Sequence, residues 1–185
     1  MDISPYMTEP TDILDKPSVM SGEGVDLLKK IETLRLTPYD DQTGKDITSW
    51  VEGATIGYGH LISKKEWKTF KNGITKSQAG TLLGNDLAPV LKDVRNGITS
   101  LVTQYQFDAA VFLRFNIGNG GGNVDGFSNS SALKLMNNPN ASTNYNSLES
   151  AWKAWNKSQG SVNNGLINRR AAEWDMYSKS TYRQW

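Results

Sequence analysis

The sequence contains no cysteine and only one histidine among its 185 residues. The absence of cysteine excludes a disulfide framework, thiol catalysis and thiolate-bound metal. A single histidine gives no basis for a histidine-built metal site, so we expect neither a metal nor another cofactor. The formal net charge of +1 provides no overall field that would steer the chain to nucleic acid, and no nucleic-acid partner is expected.

Long apolar runs are also missing. No run approaches the ~18 apolar residues that indicate a membrane span, and the N-terminus lacks the basic and apolar regions of a secretory signal peptide. We therefore expect synthesis in the cytoplasm and no membrane partner. The length is sufficient to bury a core and favours one monomeric domain that can divide into two lobes.

Residues 1–20 carry three prolines and scattered acids without sustained periodicity, which predicts a poorly ordered leader or linker. The folded domain is therefore expected to span residues 21–185.

Residues 21–34 are predicted to form an amphipathic helix, on which Val25, Leu28 and Glu32 share one face. A carboxyl group on an apolar face loses part of its hydration, and this favours its protonated form. Glu32 is therefore a candidate general acid, the role that requires a proton to donate. Its simpler interpretation is a glutamate held in an ion pair.

A second carboxyl group, Asp41, follows in a polar segment that ends in Gly44 and is typical of a turn. We expect Asp41 to remain hydrated and ionised, although an Asp-Asp pair is also common in ordinary turns. Two carboxyl groups in contrasting environments are the acid and base signature of glycoside hydrolysis.

The pattern of Glu32, Leu34-Arg35-Leu36, Tyr39, Asp41 and Thr55-Ile-Gly-Tyr-Gly-His60 resembles the phage-type lysozymes, the muramidases of glycoside hydrolase family 24. The resemblance implies an α+β lysozyme-like fold with a cleft between two lobes. Its parts would be a small N-terminal β-hairpin lobe at about 35–74, a long joining helix at about 76–95, and a larger helical C-terminal lobe at 96–185 that packs with helix 21–34. Pro89 predicts a bend in the joining helix.

The resemblance also implies a reaction and its residues. Glu32 would be the general acid, while Asp41 and Thr55 would hold the water that attacks the opposite face of the sugar. The reaction would be inverting hydrolysis of the β-1,4 bond between N-acetylmuramic acid and N-acetylglucosamine in peptidoglycan glycan strands.

Further roles come from the same resemblance. Asn116 and Arg169 would contact the substrate, and Arg169 would pair with Glu32. From the residues alone, Asn116 equally fits a helix C-cap and Arg169 a surface arginine. His60 and Asp86 match positions that form a structural ion pair.

The hairpin departs from the compact members of the family. Asp41 and Thr55 lie 14 positions apart, and Lys45–Glu52 looks like an insertion that would lengthen the hairpin. The insertion adds two rival carboxyl groups, Asp46 and Glu52.

Two aromatic residues of the hairpin are candidate substrate contacts. Tyr39 shares one face of its extended segment with Asp41, which is why we assign Asp41 rather than Asp40 as the partner of Glu32. Trp50 lies in the insertion, away from any obvious core pattern, and is a candidate platform for stacking on saccharide. Aromatic side chains are nevertheless more often part of a core.

Two other functions fit parts of the sequence. A lytic transglycosylase needs one catalytic acid and leaves a 1,6-anhydro end, whereas a non-catalytic peptidoglycan-binding module needs none. For a hydrolase acting on the wall from the bacterial periplasm, the sequence leaves open a phage endolysin or an antibacterial effector domain. An immunity protein or a parent effector chain would be the partner in the second case.

Overall fold

The computed structural model describes residues 9–185, and the chain divides into two compact units. The first unit contains Leu28–Ala88, and the second contains residues 9–27 together with Pro89–Trp185. Among the described residues, no helix is long and apolar enough to cross a bilayer.

The first unit is built on a small antiparallel sheet. Its elements, with the helices that enter and leave it, are α1 (Gly22–Ile31), β1 (Arg35–Asp40), β2 (Ala54–Gly57), β3 (His60–Leu61), α2 (Trp67–Phe70) and α3 (Lys76–Gly97). The strands lie in the order β1-β2-β3, and each neighbouring pair is antiparallel. Both boundaries between the units fall inside helices, one in α1 and the other in α3.

Helix α1 begins where the sequence indicates and ends earlier. The Ser21 hydroxyl accepts a hydrogen bond from the Gly24 amide at 3.0 Å, and Val25 and Leu28 are buried as predicted. The last helical residue is Ile31, three residues before the predicted end near Leu34, because Thr33 adopts a left-handed conformation with φ of 45°. Glu32 therefore lies just beyond the helix.

The register of β1 against β2 decides which side chains meet. Tyr39 pairs with Thr55 and Arg35 pairs with Gly57, so β1 carries two extra residues between these pairs. This irregularity accommodates Pro38, which has no amide hydrogen to donate to a sheet.

The insertion does not lengthen the β1–β2 hairpin, and that prediction is wrong. Instead, the inserted segment turns back along the outer edge of β1, where the Asp40 amide donates to the Lys45 carbonyl at 2.9 Å. The Ile47 amide donates to the Pro38 carbonyl at 3.1 Å in the same segment. The extra residues thus cover an edge that would otherwise expose unpaired backbone groups.

Helix α3 starts at a capping box. The Thr75 amide donates to Gln78 Oε1 at 2.7 Å, and the Gln78 amide donates to the Thr75 hydroxyl at 3.2 Å. The helix continues through Pro89 to Gly97, two residues past its predicted end. Since proline lacks an amide hydrogen, one helical hydrogen bond is missing where the boundary between the units falls.

The described part of the second unit is mainly helical and includes a short hairpin. Its elements are α4 (Gln104–Ile117), α5 (Ser131–Asn137), α6 (Leu148–Lys153), β4 (Lys157–Ser158), β5 (Ser161–Val162) and α7 (Asn164–Lys179). Helix α4 is buried along most of its length and packs against α7.

A buried carboxyl group on α4 holds the start of α1. Asp108 is fully buried and accepts hydrogen bonds from the Ser21 and Tyr182 hydroxyls, each at 2.6 Å, and from Gln104 Nε2 at 2.8 Å. Burial raises the pKa of Asp108, and these three donors oppose that shift.

The predicted leader is ordered where the structure describes it. Asp15 and Val102 exchange two backbone hydrogen bonds of 2.9 Å, Gln104 Nε2 donates to the Val19 carbonyl at 3.0 Å, and Met20 is buried. The prediction of a poorly ordered leader is therefore wrong for residues 9–20, and residues 1–8 lie outside the described part of the chain.

Candidate active site

Glu32 is placed by the end of α1 and by the turn that joins β2 to β3. Its amide continues the helical pattern by donating to the Leu28 carbonyl at 2.9 Å, and its side chain is half-buried. Glu32 Oε2 lies 3.7 Å from the position a Cβ would take on Gly59, whose φ is 91°. A glycine at this turn lets the backbone pass close to the carboxyl group.

Asp41 lies at the opposite end of the same strand pair. Its amide donates to the Gly53 carbonyl at 3.1 Å, and its exposed carboxylate occupies the space that a side chain at position 53 would fill. Gly53 also has a φ of 91°, so both the backbone conformation and the close approach of Asp41 require glycine there.

Thr55 brings a hydroxyl group to the same carbonyl. Its Oγ1 donates to the Gly53 carbonyl at 2.9 Å, and the residue is 4% exposed. The Gly53 carbonyl oxygen therefore accepts two hydrogen bonds, one from the Asp41 amide and one from the Thr55 hydroxyl.

Tyr39 neighbours Thr55 in the sheet and is affected by the charge of Glu32. Its backbone pairs with Thr55, and the Arg35 guanidinium lies 4.4 Å from the centre of its ring. Burial raises the pKa of the Tyr39 hydroxyl, the Arg35 charge lowers it, and the charges of Asp41 and Glu32 raise it.

The neighbouring carboxyl groups have other partners. Asp40 Oδ1 accepts from the Gln42 amide and Oδ2 from the Thr43 hydroxyl, each at 2.9 Å, which is the pattern of a local turn. Asp46 forms an ion pair with Arg35 Nη2 at 2.6 Å. These contacts assign Asp40 and Asp46 structural positions and support Asp41 as the partner of Glu32.

Trp50 belongs to the core of the first unit, so the expectation that it lies away from any core is wrong. Its indole N–H donates to the Ile62 carbonyl at 2.9 Å. The ring packs on the buried cluster of Ala54, Ile56 and Ile62. Trp50 of the insertion thus contributes to the stability of the first unit, and we do not propose it as a platform for stacking on saccharide.

His60 and Asp86 form the ion pair that the resemblance implies, between β3 and α3. His60 Nδ1 lies 3.0 Å from Asp86 Oδ1, and Phe70 packs edge-on against the imidazole. The hydrogen bond to Asp86 raises the pKa of His60, burial lowers it, and the charges of Asp86 and Glu66 raise it, with a net shift upward. The pair ties a strand to a helix within the first unit.

Asn116 and Arg169 lie in the second unit. Asn116 Oδ1 accepts from Arg170 Nη2 at 2.9 Å, and the C-cap of α4 is Gly118, so the capping alternative for Asn116 is wrong. Arg169 donates through Nε to Glu173 Oε1 at 3.1 Å, and its guanidinium lies 5.3 Å from the centre of the Trp185 ring. Pairing of Arg169 with Glu32 and contact of either residue with substrate stay predictions.

A buried ionic network surrounds Glu173 and was not predicted from the sequence. This fully buried carboxylate accepts from Arg170 Nη2 at 2.6 Å and from Trp152 Nε1 at 3.0 Å. Burial lowers the pKa of Arg170, while the charge of Glu173 raises it. Spacings of three and four residues from the two arginines to Glu173 were a signal that could have revealed the network.

Metal chemistry has no donor set in the described residues. Within residues 9–185, no group of three or more histidine, aspartate or glutamate side chains is arranged to hold a metal ion.

The fold and this site define a lysozyme-like α+β protein, with a half-buried glutamate, an exposed aspartate and a threonine arranged around one small antiparallel sheet. The chain belongs to the phage lysozyme family, whose family model matches residues 29–173.

Named relatives agree with this family. The chain is 32% identical to an endolysin of Bacillus phage PZA over 88% of its own length and 56% of the relative's. It is also 32% identical to an endolysin of Acyrthosiphon pisum secondary endosymbiont phage 1, covering 83% of this chain and 94% of the relative. The chain thus spans little more than half of the first relative and nearly all of the second.

Solved structures resemble most of the chain. An endolysin from Escherichia coli O157:H7 phage FAHEc1 matches with a TM-score of 0.67 and 27% identity, over 95% of this chain and 100% of that one. The muramidase domain of SpmX from Asticaccaulis excentricus matches with a TM-score of 0.64 and 30% identity, over 86% of this chain and 97% of that one.

Proposed function

We propose that the chain is a lysozyme that hydrolyses the β-1,4 bond between N-acetylmuramic acid and N-acetylglucosamine in peptidoglycan, with inversion at the anomeric carbon. The observation that carries this proposal is the junction at the Gly53 carbonyl, where Asp41 and Thr55 meet, on the sheet whose β2–β3 turn lies beside Glu32. Relatives named endolysin and muramidase support the substrate class.

Each residue has one role in the proposed reaction. Protonated Glu32 donates its proton to the glycosidic oxygen of the leaving sugar. Ionised Asp41, exposed to solvent, accepts a proton from the attacking water, and the Thr55 hydroxyl orients that water. The water attacks from the face opposite the leaving group, which requires room between the two carboxyl groups, typically about 6.5–9.5 Å.

The biological role we propose is bacterial lysis by an endolysin acting on the cell wall, in line with the relatives that carry that name. An effector role with an immunity protein has no comparable support. The lytic transglycosylase reaction is disfavoured because it leaves Asp41 and Thr55 without a task. A non-catalytic binding module is disfavoured because it would not need the acid Glu32.

Analysis of product ends tests the proposal. Purified peptidoglycan is digested, reduced with borohydride and examined by mass spectrometry. We expect reducible N-acetylmuramic acid ends in proportion to the bonds broken. Products ending in 1,6-anhydro-muramic acid would establish the transglycosylase reaction, and an absence of new ends would show that the chain does not cleave glycan.

A further inference from the structure

Arg35 lies among the groups of the proposed site, but none of its described contacts is to a carboxyl group that the mechanism uses. Its Nη2 donates to Asp46 Oδ1 at 2.6 Å, its Nη1 donates to the Gly44 carbonyl at 3.2 Å, and its guanidinium covers the Tyr39 ring. Gly44 and Asp46 both belong to the segment between Asp41 and Thr55 that distinguishes this chain.

The tyrosine beneath Arg35 is two residues from the proposed base. Side chains two residues apart along an extended segment share a face and are separated by about 7 Å, a distance that an arginine side chain can span. Tyr39 pairs with Thr55, Asp40 ends the strand, and the Asp41 amide donates to the Gly53 carbonyl. An arginine released from Asp46 would therefore be able to swing across the ring and pair with the Asp41 carboxylate.

Such a pairing would interfere with the reaction. A guanidinium bound to a carboxylate makes that carboxylate a weaker proton acceptor and occupies the place where water must sit. The cation next to the site thus requires a partner that keeps it in place.

We propose that Asp46 is a positioning residue that holds Arg35 on the Tyr39 ring and so keeps the arginine from pairing with Asp41. Asp46 is itself fixed, because its backbone bridges to Tyr39 and its carboxylate accepts from the Thr37 hydroxyl at 3.3 Å. The insertion therefore serves the site by restraining a neighbouring cation, although its carboxyl groups take no part in proton transfer. This inference rests on the proposed function, because it assumes that Asp41 is the base.

The test compares Asp46→Ala, Arg35→Gln and the double variant in the full chain, with kcat and KM measured on soluble peptidoglycan fragments. Glu52→Ala is the matched control, because it removes another exposed acid from the same segment. Thermal unfolding followed by circular dichroism establishes that each variant is folded at the assay temperature.

Asp46→Ala is expected to lower kcat about 3- to 10-fold with little change in KM, the scale of a competing surface ion pair. Removing the freed arginine restores activity, so the double variant is expected within about a factor of three of Arg35→Gln alone. Glu52→Ala is expected to behave as the wild type.

Two results would overturn this inference alone, in a protein that cleaves peptidoglycan. One is an Asp46→Ala variant with the kcat of the wild type. The other is a double variant as slow as Asp46→Ala, since a purely structural or chemical role of Asp46 is not rescued by deleting Arg35. A wild-type protein that leaves peptidoglycan intact would overturn the proposed function together with this inference.

Discussion

At the scale of single residues, the site depends on a glycine as much as on its acids. The Gly53 carbonyl accepts from the Asp41 amide at 3.1 Å and from the Thr55 hydroxyl at 2.9 Å, and the missing side chain of Gly53 leaves room for the Asp41 carboxylate. Small changes at this position should therefore affect activity more than stability.

Gly53→Ala tests this dependence. The added methyl group would collide with the Asp41 carboxylate and displace it, so we expect kcat to fall about 10-fold or more, since small misplacement of a reacting group is costly. Gly44→Ala is the control, because Gly44 also has positive φ, 69°, but a Cβ there meets nothing within 4 Å. Equal losses of kcat in the two variants would show that backbone strain, not displacement of Asp41, explains the effect.

Glu32→Gln removes the proton donor and keeps the shape. Because an amide cannot protonate the leaving oxygen, we expect lysis of bacterial cell walls to be abolished while the protein stays folded. Turbidity loss of a peptidoglycan suspension measures the activity, and circular dichroism measures the fold. Activity within tenfold of the wild type would exclude Glu32 as the general acid.

The choice among the hairpin acids is tested by three variants side by side. We expect Asp41→Ala to lose turnover on the order of 10²-fold or more, in the range of positioned acid–base groups. The loss should be far smaller for Asp46→Ala, which removes the contacts to Arg35 and Thr37, and negligible for Glu52→Ala. A 10²-fold loss of turnover for Asp46→Ala or Glu52→Ala, with Asp41→Ala near wild type, would show that the catalytic base lies in the insertion.

Strand periodicity in the sequence predicted which face of the extended segment these acids occupy. Alternation along the extended segment placed Tyr39 and Asp41 on one face and Asp40 on the other, and the structure gives Asp40 to the turn. Strand periodicity did not predict the position of Trp50. Nothing local to the insertion shows that residues 45–47 return along β1 and bring the indole onto the core.

At the scale of elements, an ionisable pair links β3 to α3 within the first unit. His60 on β3 bonds Asp86 on α3, and this bond raises the pKa of His60 in the folded state above its unfolded value. A raised histidine pKa gives stability that is fully present below the unfolded pKa, about 6.5, and is lost as pH rises through the folded value.

Asp86→Asn should therefore lower the melting temperature more at pH 5 than at pH 9. We expect a loss of about 1 kcal/mol or more at pH 5, where the imidazolium would lose its carboxylate partner. Asp93→Asn is the control on the same helix, because its partner is an arginine instead of a histidine, and the loss should therefore not depend on pH. An unchanged melting temperature for Asp86→Asn at both pH values would refute the pairing.

Element boundaries show where local patterns stop being sufficient. Capping boxes lie at the starts of α3 and α4, and they are local signals because capping side chains contact backbone only three residues away. The order of residues 9–20 could not be read in this way. That segment is held by Val102 and Gln104, whose contacts with it span more than 80 positions of sequence.

At the scale of the whole molecule, the fold followed from a resemblance concentrated in residues 32–60, and the family model extends it to residues 29–173. The first unit holds Glu32, Asp41 and Thr55 together, while the second holds Asn116 and Arg169 in a network built on buried Glu173. The predicted acid–base set thus lies in one unit. The buried network was not predicted, because two adjacent arginines usually indicate a surface position, and the sequence does not show that Glu173 is their buried partner.

The stereochemistry of the first product tests the central claim, that Glu32 and Asp41 act as acid and base on opposite faces of the sugar. Soluble peptidoglycan fragments are digested in an NMR tube with enough enzyme to finish before mutarotation, and the anomeric proton of new N-acetylmuramic acid ends is followed. We expect the α-anomer to appear first, because the proposed mechanism cleaves a β-linkage with inversion. First appearance of the β-anomer, or of 1,6-anhydro ends, would contradict it.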